Sequence, residues 1–153
     1  MMSALKNKSL FQVFLGIIIG SFIISLILFF CHGRRARCIC LFESFESEKI
    51  YTEARYYPRE KKNLLVKTFV EDLVLGPYTN RYKFIFAAGT KVQFCFAEGK
   101  TLYVGLSAEA LKFNAETSDI KSGVELLRKN IVKNFTSFNK IYIFIDGVRV
   151  SGE

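Results

Sequence analysis

The sequence predicts an α+β fold: a small mixed β-sheet with two helices packed on one face, in the order β-α-β-β-β-α-β, preceded by one transmembrane helix. Three observations carry this prediction. One uncharged apolar run near the N-terminus is long enough to cross a bilayer, and two later segments repeat apolar residues at helical spacing. Between and after those segments lie short runs that alternate in polarity or are rich in β-branched and aromatic residues. The 153 residues leave room for one folded domain besides the apolar run.

Residues 1–9 form a basic leader carrying Lys6 and Lys8. Residues 10–31, LFQVFLGIIIGSFIISLILFFC, hold no charge and one amide, Gln12. At 1.5 Å per residue the run reaches roughly 33 Å, against a hydrocarbon core of about 30 Å. A signal peptide also begins with a basic leader. Here the run is longer than a signal core, and Phe29, Phe30, Cys31, His32 and Gly33 replace a small-x-small cleavage site. A lipid-modified Cys31 is a further reading, opposed by Phe30 where a small residue is expected. Lys6 and Lys8 face Arg34, Arg35 and Arg37 across the run, so charge alone does not set the orientation.

Residues 32–48 read as a juxtamembrane tether, a basic cluster followed by LFESFESEK with little periodicity. Cys31, Cys38 and Cys40 gather at the membrane edge, while Cys95 lies alone in a predicted strand, so no disulfide framework is implied. Cys38-x-Cys40 lacks the spacing of structural zinc pairs, and with His32 nearby the simpler expectation is ordinary thiols and no metal.

The domain is expected over residues 49–153. KIYTEARYYP alternates and stops at Pro58, which gives a first strand. Over residues 60–75, Val66, Phe69, Val70 and Leu73 mark one helix face, closed by Gly76 and Pro77. Residues 82–87 read as a second strand. Residues 91–106 read as a hairpin turning at Glu98 and Gly99, with Val92, Phe94 and Phe96 on one face, so the three strands suggest a meander. A second helix runs over about 119–137, with Ile120, Val124, Leu127, Ile131, Phe135 and Phe138 inward and Ser118 or Asp119 as N-cap. Residues 141–145, IYIFI, have the composition of a central strand covered on both faces or nearly so, and Asp146-Gly147 signals a hairpin to Val148.

The net charge of +8 is partly local, because five of the 22 basic residues flank the apolar run. The rest lie dispersed along the domain, unlike a nucleic-acid patch, and neither G-x-G-x-x-G nor G-x-x-x-x-G-K occurs. No nucleic acid, nucleotide or cofactor is therefore expected. Catalysis finds no support either. Gly105-x-Ser107 lacks the last glycine of a nucleophile elbow, and Ser107 fits better as the cap of a short turn over 108–111. The single histidine is His32, outside the domain, and Glu71 and Asp72 are adjacent, so they diverge on a helix and read as solvated.

In this order and spacing EARYYP, LVLGP, FIFAAGTKVQFCF, VGLS and IYIFIDG resemble the GerMN domain of sporulation and spore germination proteins, over about residues 49–148. The resemblance implies a small non-catalytic domain displayed outside the cytoplasmic membrane by an N-terminal anchor and active in assembling envelope complexes. By that resemblance the topology is N-in, C-out in a bacterial cytoplasmic membrane. The chain departs from the pattern in carrying one copy and no lipobox, so the resemblance implies a general envelope scaffold and leaves a role in sporulation open.

Four residues stand out as ligand or partner contacts. Arg55 could meet a carboxylate or phosphate through its planar fork, or pair with Glu71 or Asp72 of its own domain. Tyr82, Phe94 and Tyr103 could lie on an open sheet face, or pack in the core. The expected function is non-catalytic assembly, by self-association or by docking to an envelope partner, with residues 10–31 in the lipid bilayer. The alternative is an envelope sensor binding a small ligand or cell-wall fragment around Arg55.

Overall fold

The computed structural model describes residues 2–31, 35–47, 49–112 and 116–151, with side chains described for 11–30, 35–47, 49–112 and 116–150. The chain divides into two compact units, Met1–Arg34 and Arg35–Glu153.

The first unit is one helix, α1 (Met2–Cys31). Its stretch Phe11–Phe30 is long and apolar enough to cross a membrane, which makes it a candidate span by length and composition. His32 and the side chain of Cys31 lie outside the described residues, and with them the metal and lipidation readings.

The second unit is α+β, with the elements β1 (Arg35–Glu43), β2 (Ile50–Pro58), α2 (Lys62–Leu75), β3 (Val92–Glu98), β4 (Thr101–Leu106), a 3-10 turn (Ala108–Leu111), α3 (Ile120–Asn134), β5 (Lys140–Ile145) and β6 (Val148–Ser151). β1 and β2 form a two-stranded antiparallel sheet. The other four strands form a mixed sheet in the order β3-β4-β5-β6, antiparallel except for the parallel pair β4 and β5. Leu102, Val104 and Leu106 on β4 and Ile141, Ile143 and Ile145 on β5 share one core with Val66, Phe69, Val70 and Leu73 of α2 and Leu127 and Ile131 of α3. Alternation along each strand thus sends one face of the sheet inward.

The expected tether is corrected here. Residues 35–43 form a full strand, and Cys38, Cys40 and Phe42 alternate into the core. Its polar composition hid this, because two cysteines supply the inward face between charged ends. Burial pushes the Cys40 thiol up to about 11 and raises that of Cys38 too. They are packing groups.

The outer edge of β1 is closed by a helix. Asn134 Oδ1 accepts from the Ile39 N–H at 2.7 Å and its Nδ2 donates to the Ile39 carbonyl at 2.8 Å. Asn130, one turn earlier, treats Leu41 in the same way. Two side-chain amides therefore stand where a third strand would, and satisfy backbone groups that burial would otherwise orphan.

The second expected strand, residues 82–87, is also corrected: it is an irregular segment carrying isolated bridges from Tyr82 to Ser44 and from Phe84 to Thr117. Its backbone is bonded to Glu43, Glu116 and Ser118 instead of a ladder, while Ile85, Phe86 and Ala87 plug the core. The meander reduces to the β3-β4 hairpin. α3 begins at the N-cap Asp119, whose carboxylate accepts from the Ser122 N–H at 3.0 Å. Ile120, expected inside, is 36% exposed.

Candidate interaction surface

The face of the mixed sheet opposite the core has no cover among the described residues, and a bulge and a glycine determine what it shows. Between Val92 and Phe94 the β3-β4 register shifts. Period-two alternation would put Val92 beside Phe94 and Phe96; the extra residue breaks that parity. Val92, Cys95 and Ala97 pack against the core, and Phe94 and Phe96 go to the opposite face. Phe94 stands across from Gly105, whose missing side chain leaves room for the ring: a Cβ there would lie 2.2 Å from it.

Around this point the rings run across the sheet. Phe96 is stacked on Tyr103 at a centroid distance of 5.1 Å, and Tyr103 meets Tyr142 on the neighbouring parallel strand at 5.4 Å. Phe94 contacts Phe96 at 5.9 Å and Phe144 at 5.8 Å, and the Arg149 guanidinium lies 4.4 Å from the Tyr142 ring. Phe96 is 50% exposed and the other four rings are half-buried. Cross-strand aromatic neighbours restrict one another's rotamers, so the rings hold one another in place across the sheet.

Of the four residues singled out in the sequence, two meet here, Phe94 and Tyr103. Tyr82 does not: it lies by the small sheet, stacked on Phe42 at 6.4 Å and Tyr51 at 5.7 Å. Phe96, Tyr142 and Phe144 complete the array. The last two were concealed in IYIFI, where a continuous apolar run masks period-two alternation. β5 is covered on one face only, which corrects the expectation of two.

Arg55 is withdrawn as a contact. It is 2% exposed and its fork is spent inside the domain. Nε donates to Glu53 at 2.8 Å, Nη1 to the Asp72 carboxylate at 2.8 Å and carbonyl at 2.9 Å, and Nη2 to the Gly76 carbonyl at 2.6 Å. The Tyr78 ring lies 4.0 Å from its guanidinium carbon. Burial alone would depress the guanidinium, but the hydrogen bonds to Glu53 and Asp72 prevail and hold it charged. Tyr57 also donates to Asp72, so that carboxylate is structural rather than solvated. Glu71, the other candidate partner, faces Lys67 at 3.8 Å on the exposed side of α2. Ser107 precedes the 3-10 turn, but its Oγ accepts from the Lys91 N–H at 3.0 Å instead of capping it.

No family model matches the chain. Among curated proteins it is similar to an uncharacterized lipoprotein of Treponema pallidum, 26% identical over 82 residues, which cover 54% of this chain and 61% of that protein. Among solved structures it resembles the tandem GerMN domains of the sporulation protein GerM from Bacillus subtilis, with a TM-score of 0.59 and 17% identity over 76% of this chain and 41% of that one. It also resembles the first GerMN domain of that protein, with a TM-score of 0.51 and 20% identity over 73% of this chain and 85% of that one. The chain thus spans less than two thirds of the length of the curated relative it matches.

Proposed function

We propose that this chain, which carries a GerMN-like domain, is a non-catalytic envelope protein, anchored by α1 as a single span, whose domain docks a protein partner through the open face of its mixed sheet. The observation that carries the reading is the ordered array of Phe94, Phe96, Tyr103, Tyr142 and Phe144 on that face. Contiguous aromatics that are partly exposed and already ordered by their neighbours suit protein docking, because little side-chain freedom is lost on binding. The likeness to a lipoprotein supports an envelope location, and the GerMN-like fold supports display on the outer side. Anchoring adds local concentration, so weak lateral contacts suffice. The ligand-sensing alternative loses its anchor point, because Arg55 is engaged within its own domain.

The test is the mass and composition of the particle extracted gently from native membranes, compared with a Phe96→Ser, Tyr103→Ser double variant. A fixed set of envelope proteins that the double variant fails to retain supports the proposal. A particle unchanged by the double variant, or a lone chain that stays alone after crosslinking in cells, overturns it. Sidedness is checked with Glu98→Cys and an impermeant maleimide on intact cells: labelling before lysis is expected, and its absence overturns outward display.

A further inference from the structure

The two edges of the small sheet are treated unequally. That of β1 is sealed by Asn130 and Asn134, whereas β2 is an edge strand whose outer side pairs with no strand among the described residues. Since residues 39 and 41 of β1 point away from β2, the ladder uses residues 51, 53, 55 and 57 of β2 and leaves the backbone groups of Ile50, Thr52, Ala54 and Tyr56 pointing outward. Edge strands are ordinarily guarded by a lysine, an internal proline, a bulge or brevity. β2 has nine residues in unbroken register with β1, its proline is the last of them, and its exposed side chains, Ile50, Tyr51, Thr52, Ala54, Tyr56 and Pro58, carry no charge.

We propose that the outer edge of β2 pairs antiparallel with β2 of a second copy of this chain, in the register that places Ala54 opposite Ala54. This inference rests on the assembly reading for its setting, copies held in one bilayer, but it uses another surface. Ala54 is the midpoint of β2, so this register engages the whole strand. It sets Thr52 across from Tyr56, a favourable pair of β-formers, and brings the smallest side chain of the strand to the two-fold axis. Glu53 and Arg55, the charged residues of β2, are already paired with one another within each copy and neither favour nor oppose this register. Lys49 and Arg59, just beyond the paired ends, face each other and oppose the pairing weakly in solvent. A two-fold contact of this kind closes on itself and yields a four-stranded sheet with both of its outer edges sealed by asparagines.

The experiment uses the full chain in liposomes with Cys31→Ser and Cys95→Ala, because the remaining cysteines, Cys38 and Cys40, are buried. A short bis-maleimide is expected to link Ala54→Cys copies in high yield and Tyr56→Cys copies hardly at all, since residues 56 of the two copies stand roughly 13 Å apart in this register. A mixture of Thr52→Cys and Tyr56→Cys chains is expected to link well. Ala54→Lys, an exposed change that sets two ammonium groups face to face, is expected to lower the mixed yield at least tenfold. Equal linking of Ala54→Cys and Tyr56→Cys, or a mixed yield untouched by Ala54→Lys, overturns the inference. Retention of envelope partners by the Ala54→Lys chain reports separately on the aromatic face, so the two readings fail independently.

Discussion

Asn130 of α3 holds both backbone groups of Leu41 on β1: its Oδ1 accepts from the N–H at 2.6 Å, and its Nδ2 donates to the carbonyl at 2.9 Å. The asparagine is wholly buried, and its Nδ2 also reaches the Leu126 carbonyl at 2.9 Å. A single side chain thereby ties the N-terminal strand of the domain to its last helix.

Asn130→Leu is expected to destabilise the domain by about 3 kcal/mol, because it leaves a buried N–H and carbonyl of β1 unpaired. Asn130→Asp is expected to cost more at neutral pH, since the donor to the Leu41 carbonyl is lost and a carboxylate faces that oxygen. Denaturant midpoints of the full chain in detergent check both, and an unchanged midpoint for Asn130→Leu refutes the role.

Arg55→Met is expected to cost about 3 kcal/mol, the low end for removing one partner of a buried ion pair, since the Gly76 carbonyl loses its donor while Asp72 and Glu53 keep some access to solvent. Arg55→Lys is expected to recover only part of this, because a point ammonium cannot serve all three groups at once. Stability, measured as above, should rank Arg above Lys above Met.

At Gly76 the backbone has φ +105°, and an added Cβ would lie 2.4 Å from the Phe84 ring. Gly76→Ala is therefore both strained and obstructed, and a loss of about 2 kcal/mol or more is expected. Gly99→Ala makes a useful contrast: φ is +56° but nothing stands within 4 Å, so strain acts there without obstruction and the loss should be smaller. Equal losses would show that the Phe84 contact is immaterial.

Alkaline pH should weaken the fold. Burial raises the Cys40 and Cys95 thiols to about 11 from their ordinary 9.0, and burial with the Asp72 hydrogen bond raises the Tyr57 phenol. The unfolded chain ionises these groups first. The thiols' contribution is complete below about pH 9 and is lost as pH rises from there toward 11, while that of Tyr57 begins to fall only above its ordinary 10. Unfolding midpoints across that window should fall, and Cys40→Ala should shallow the slope.

Legibility of the fold in the sequence followed the kind of signal. The stripe of Val66, Phe69, Val70 and Leu73 announced α2, the Glu98-Gly99 turn announced the β3-β4 hairpin, and the apolar run announced α1. β1 was missed because its inward residues, Cys38, Cys40 and Phe42, sit between arginines and glutamates. The segment 82–87 misled because its composition suits a strand while its backbone partners lie in β1 and in residues 116–118, which no local pattern reveals. The aromatic face was half legible. Phe94 and Tyr103 were visible as strand aromatics, but their coming together with Phe96, Tyr142 and Phe144 depends on a bulge and on the parallel register of β4 with β5. One signal for the Asn130 clamp was available and unused: a polar amide placed within a helix stripe of Leu127 and Ile131 needs a partner.

The bonds from Asn130 and Asn134 to β1 span 89 and 95 residues of chain. During synthesis, β1 emerges long before α3 exists, so the first core strand must wait without these side-chain partners until α3 has been made. A nascent chain stalled before residue 130 cannot close its core, whatever its other elements do. The first strand of the domain is thus completed only by residues translated long after it.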